Sequence, residues 1–200
     1  CDRGDGKRKA GDLDGAIADY TRALEIDPAH FNACTNRGFA KQAKGDLDGA
    51  LADFSRALEL DPRYALAYIN WGLAKQAKGD FDGAIADYSR AIALRPGHAA
   101  AYLNRGVAKQ ARNDFDGAIA DYTRTLELQP RHAAACNNRG VAKQSKGDLD
   151  GAIADYTRAL EFHPKHALAW NNRGNAKRML GDPDGAGYLP LSCCLPHWLL

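Results

Sequence analysis

The sequence predicts an all-α fold, a solenoid of stacked helix–turn–helix units. Three observations predict it. The dipeptide Gly-Asp recurs from Gly11, Gly45, Gly79, Gly147 and Gly181, with Asn113-Asp114 filling the gap, so that each step is 34 residues. Pro28, Pro62, Pro96, Pro130 and Pro164 keep the same beat, as do Gly4, Gly38, Gly72, Gly106, Gly140 and Gly174. Between those marks apolar residues follow a helical spacing twice per unit. A fixed period of this length signals a repeat architecture, in which no unit buries its apolar stripe alone and neighbours must stack.

Ending each unit two residues after its proline divides the chain in order. Residues 1–30 form a truncated unit that lacks its first four positions, so the chain begins inside an element and reads as a fragment of something longer. Full units follow at 31–64, 65–98, 99–132 and 133–166. In 65–98, Ala65 to Lys78 places Tyr68, Trp71, Gly72 and Lys75 on one face of a first helix. Gly79 ends it and Asp80 caps the next, the usual chemistry of a helix C-terminus and N-terminus. The second helix runs from about Phe81 to Ala93, with Ala84, Ile85, Tyr88, Ala91 and Ile92 on one stripe. Arg95-Pro96-Gly97 stops it, because the residue before proline is pushed out of the α region.

Residues 167–186 read as the first helix of a degenerate last unit. The match then fails: Gly187 and Pro190 fall where a second helix should run, and proline there costs about 3 kcal/mol. Residues 187–200 are an apolar non-repeat tail, expected either to fold back as a cap on the last first helix or to be an unselected chain end, and a liability for self-association.

The units resemble the tetratricopeptide repeat (TPR), which places a large residue, a glycine, small alanines, an aromatic and a proline at fixed offsets. In 65–98 these are Tyr68, Gly72, Ala84, Tyr88, Ala91 and Pro96, and the match covers about 1–186. The resemblance implies a right-handed superhelical solenoid. Two departures stand out. Arg37, Arg105, Arg139 and Arg173 replace the family's apolar residue before the glycine, with only Trp71 apolar there. Lys41, Lys75, Lys109, Lys143 and Lys177 replace the usual tyrosine three residues after it. The second helices carry Asp19, Asp53, Asp87, Asp121 and Asp155 at one position, so the cations are expected to form ion-pair ladders, each pair worth about 0–1 kcal/mol if exposed.

Composition excludes several classes. With 27 basic and 25 acidic residues the net charge is +2, without the basic excess of a nucleic-acid binder. No stretch of about 18 apolar residues exists to span a membrane. Walker, G-x-S-x-G, H-E-x-x-H and paired C-x-x-C motifs are absent, so no catalytic residue and no cofactor are expected. The recurring Asp46-Leu47-Asp48-Gly49 pattern lacks the calcium-loop spacing and reads as a helix N-cap with an acidic first turn. His30, His98, His132 and His166 share one turn position on helices about 8–10 Å or more apart, too far for a shared metal, so no metal site is expected. Cys34 and Cys136 occupy the slot of Tyr68 and Tyr102 as packing residues, and adjacent Cys193-Cys194 suit neither a disulfide nor a metal. That usage fits a reducing, cytoplasmic compartment.

The resemblance also implies where binding occurs: the first helices line a concave groove, faced by unit positions two, five, six, nine, twelve and thirteen. Position six gives Asn36, Asn70, Asn104, Asn138 and Asn172, whose amides both donate and accept and could hold an extended peptide by its backbone. Inherited consensus explains that row equally well. Positions that differ between units give Leu66, Ile69 and Leu73, then Leu103 and Val107, an apolar middle that becomes polar toward the C-terminal end. Gln76 and Gln110 belong to a second uncharged row. The function expected is a non-catalytic scaffold holding an extended peptide segment of a protein partner. The alternatives are a docking arm of a larger multidomain enzyme, or self-association through the end units or tail.

Overall fold

In a computed structural model, residues 2–181 are described. They form eleven helices: α1 (Asp2–Lys9), α2 (Leu13–Ile26), α3 (Phe31–Ala43), α4 (Leu47–Leu60), α5 (Ala65–Ala77), α6 (Phe81–Leu94), α7 (Ala99–Ala111), α8 (Phe115–Leu128), α9 (Ala133–Ser145), α10 (Leu149–Phe162) and α11 (Ala167–Leu180). The protein is an all-α solenoid of helical repeats. Odd-numbered helices are the first of each unit and even-numbered ones the second. Each second helix packs against its own first helix and against the first helix of the next unit, and successive first helices touch side by side. The tail at 187–200, Cys1 and Cys193-Cys194 lie outside the described residues.

The turn between the two helices is built by local chemistry. At Gly45 the backbone is left-handed (φ +87°), while the Asp46 N–H donates to the Lys41 carbonyl at 2.9 Å and the Gly45 N–H to Gln42 at 3.0 Å. That doubly bonded ending satisfies carbonyls the helix leaves open. Asn113 adopts the same left-handed region (φ 61°), as asparagine does more readily than other side-chain-bearing residues. One residue later, the Asp46 carboxylate accepts from the Gly49 N–H at 2.9 Å, and Asp12, Asp80, Asp114 and Asp148 cap their helices in the same way. The Asp-x-Asp-Gly pattern is thus a capping device. His132 and His166 cap α9 and α11, their Nδ1 atoms accepting from Ala135 and Ala169 at 3.2 and 3.3 Å.

Packing follows the repeat. Tyr20, Phe54, Tyr88, Tyr122 and Tyr156 are wholly buried, with Ala16, Ala50, Ala84, Ala118 and Ala152 beside them. Each ring presses on the glycine of its own first helix; a Cβ on Gly72 would stand 2.7 Å from Tyr88 Cε1. Glycine therefore sets the spacing between the two helices of a unit. Cys34 and Cys136 are buried free thiols, pushed up in pKa chiefly by that burial, and act as packing residues.

Candidate peptide-binding groove

The side chains of successive first helices meet between the helices. At the C-terminal end, Val141, Gln144 and Ser145 of α9 share one open recess with Asn172 and Met179 of α11, floored by Tyr156 of α10. Unit positions six, nine, twelve and thirteen therefore come together there. Val107 and Leu103 are half-buried in the core layer around Tyr122, and Leu73 in the layer around Tyr88. Leu66 is exposed.

Two predicted contact residues are not available. Ile69 is 3% exposed, packed among Ala84, Tyr88 and Ala101, and Asn70 is 2% exposed with its Nδ2 lacking a hydrogen-bond partner. The residue 31 positions before Asn70, equivalent to the Asp5 that accepts from Asn36, is Phe39, whose side chain has no acceptor to offer.

The other asparagines differ by neighbour. Asn36 Nδ2 donates to Asp5 at 3.3 Å. Asn137 is buried, its Nδ2 donating to Asn138 at 3.4 Å and its Oδ1 accepting from Asn172 at 3.0 Å. Asn104 is half-buried. The row is a series of dissimilar sites rather than a uniform ladder.

The glutamine row is more regular. Tyr88, Tyr122 and Tyr156 hydroxyls donate to Oε1 of Gln76, Gln110 and Gln144 at 3.1, 3.0 and 2.8 Å. Burial, reinforced by Asp87, Asp121 and Asp155, pushes these phenols far above their usual range, so they remain donors. Sequence reasoning missed this pairing, although a tyrosine 12 residues after each glutamine was visible.

Beneath the groove runs the ion-pair ladder, and it is buried rather than exposed. Arg37 grips Asp53 through Nε and Nη2 at 3.0 and 2.6 Å, and extends Nη1 to Thr21 of the preceding unit at 3.2 Å. Arg139 repeats the geometry on Asp155 and Thr123. Lys41, Lys109 and Lys143 add a second cation to each carboxylate at 2.8–2.9 Å. In the unit with Trp71, Asp87 keeps Lys75 at 2.7 Å, and burial outweighs that contact to hold its carboxyl above the ordinary value. A second, exposed set of pairs crosses between units, including Lys78 with Asp48 at 2.5 Å and Arg112 with Asp82 at 3.1 Å.

Sequence patterns of known families match nearly the whole chain. TPR repeat patterns match 4–45, 42–79 and 76–111, and tetratricopeptide repeat patterns match 99–132, 133–166 and 155–187. The chain belongs to the tetratricopeptide repeat family. TPR proteins generally mediate protein–protein interactions. Among solved structures, the TPR chain is similar to MamA, at 32% identity and TM-score 0.76, covering 82% of this chain and 96% of that one. It also shares the fold of PilW, described as a widely conserved type IV pilus biogenesis factor (23% identity, TM-score 0.84, 92% and 86% covered). YrrB, described as a TPR protein with an unusual peptide-binding site, matches at 23% identity and TM-score 0.72, with 84% and 86% covered. No curated protein matches the sequence at a significant level. Among the described residues no helix is long and apolar enough to cross a membrane, and no cluster of side chains could hold a metal ion.

Proposed function

We propose that this TPR protein is a non-catalytic scaffold that binds an extended segment of a partner protein along its first helices. The observation that carries the reading is the recess in which Val141, Gln144 and Asn172 face one another across α9 and α11. Apolar and amide side chains both line it, and the repeat position of Val141 holds Leu73 and Val107 nearer the middle, with Leu103 one turn before Val107. Stacked repeats offer such extended concave surfaces for partner recognition. Half-buried apolar side chains supply affinity on being covered, and amides hydrogen-bond a backbone without demanding particular side chains.

The test is photo-crosslinking in lysate, with a reactive side chain placed at position 107 in the groove or at 90 on exposed Arg90 of α6. Adducts concentrated at 107, and lost in Leu103→Arg, are expected. Adducts concentrated at 90 and indifferent to Leu103→Arg would move the binding surface to the second helices and overturn the reading.

A further inference from the structure

The repeat position held by Gln76, Gln110 and Gln144 is more selective than an amide row needs to be. An amide offers both an acceptor and two donors. Here the acceptor half is already used, because a buried tyrosine hydroxyl from the second helix lies at 2.8–3.1 Å from each Oε1. That hydroxyl is a donor at the same repeat position in the first unit, where Tyr20 faces the Asp5 carboxylate, an acceptor-only group, at 2.7 Å. Each tyrosine therefore engages the carbonyl half of its glutamine and leaves the Nε2 hydrogens for another acceptor. At Gln144 this nitrogen faces the recess and reaches only a thioether, Met179 Sδ at 3.4 Å, a weak acceptor that a better one would displace.

The two ends of the row point the same way. The equivalent residues in the first and last units are Arg8 and Arg178, side chains that carry donors and no acceptor. Arg8 stands 3.9 Å from the Asp5 carboxylate that Tyr20 also faces. Arg178 is exposed and donates to Asn175 at 3.4 Å. In three consecutive units this position gives its carbonyl to a tyrosine hydroxyl, and a guanidinium stands at each end of the row; Gln42 lies opposite Phe54, which has no hydroxyl to offer.

We infer that the row acts as a donor ladder that holds an extended, apolar, non-basic peptide segment by its backbone carbonyl oxygens. This rests on the groove reading above and adds its chemistry to it. Carbonyls of the ligand face the glutamine Nε2 atoms, its apolar side chains cover Leu73, Leu103 and Val107, and the end arginines disfavour lysine or arginine in the segment. The tyrosines are positioning residues: they do not touch the ligand, but set which half of each amide does.

The experiment pans a displayed library of random twelve-residue peptides against the full chain. Affinities of the enriched peptides are then compared for the wild type, Leu103→Arg, and the combined Gln76→Glu, Gln110→Glu, Gln144→Glu variant. Glutamate still accepts from the tyrosine but sets a carboxylate where the ladder had N–H groups, so the fold is expected to survive, checked by circular dichroism. Enriched peptides rich in apolar residues and poor in lysine and arginine, weakened at least about tenfold by the triple variant, are the expected result. Peptides that bind the triple variant as tightly as the wild type but lose Leu103→Arg overturn the donor ladder and leave the groove reading standing. Peptides enriched on the wild type that are themselves rich in lysine and arginine also overturn the ladder. Failure to enrich any peptide, or enrichment insensitive to Leu103→Arg, overturns both.

Discussion

Arg105 holds Asp121 through two hydrogen bonds of 2.9 and 2.6 Å and at the same time reaches Ser89 of the preceding unit at 3.0 Å. One guanidinium thus joins both helices of its own unit to the second helix of the unit before. The Asp121 side chain is 4% exposed and also receives Lys109 at 2.9 Å. Apolar contact usually fills this place in the family, so the contact between the two helices of this unit includes a desolvated charge cluster that is costly to break by removing one member.

Replacing Asp121 with Asn should therefore leave two cations facing a neutral amide in a buried place. A loss of about 3 kcal/mol is expected, read as a shift in the urea unfolding midpoint. An unchanged midpoint would show that solvent already screens the cluster.

Asp87 should behave differently. Burial raises its pKa above 3.8 despite Lys75, because Trp71 stands where other units supply arginine. A carboxyl whose folded pKa lies above its unfolded one contributes most when protonated, and loses that contribution as pH rises through the folded value. Asp87→Asn should thus cost less at pH 7 than Asp121→Asn. The wild type should gain on Asp87→Asn as pH falls from 7 toward 4. Urea titrations of both proteins at the two pH values decide it, and a gap that narrows on acidification would contradict the assignment.

Gly72 and Tyr88 should be energetically coupled. Gly72→Ala drives a methyl to 2.7 Å from the ring, an overpacking expected to cost about 1–3 kcal/mol. In a Tyr88→Ala background that cost should largely vanish, giving a coupling of about 1 kcal/mol or more in a double-mutant cycle. Additive costs would mean that the helices separate without penalty.

Asn70 should reward removal of its polarity. Its Nδ2 is buried without a partner, so Asn70→Leu, of similar shape, is expected to raise stability by about 1 kcal/mol. Asn104→Leu, at the half-buried equivalent, should change stability little. A clear loss at position 70 would show that the amide makes a bond essential to the fold.

The repeat period, the two helices per unit and their caps were legible because each depends on residues close in sequence. Gly45 and Asp46 stop one helix and start the next using groups within five residues of themselves. The ion-pair ladder was legible in outline, since its partners recur at fixed positions, but its burial was not, because burial depends on how the helices pack around each carboxylate. Histidine capping of α9 and α11 was missed; only the shared position before each first helix hinted at it.

By itself, then, the sequence determined the all-α repeat architecture, since periodicity and capping act over single turns of helix. Tertiary structure alone decided which groove residues are within reach. Asn70 and Asn104 are identical by position, yet one is sealed and the other half-buried. The residue 31 positions before each, where Asp5 stands before Asn36, is Phe39 in one case and Leu73 in the other. Likewise, the carbonyl of Gln110 is engaged only because stacking two helices brings the Tyr122 hydroxyl to it. Such relations depend on contact between helices, which one-dimensional spacing leaves open and packing resolves.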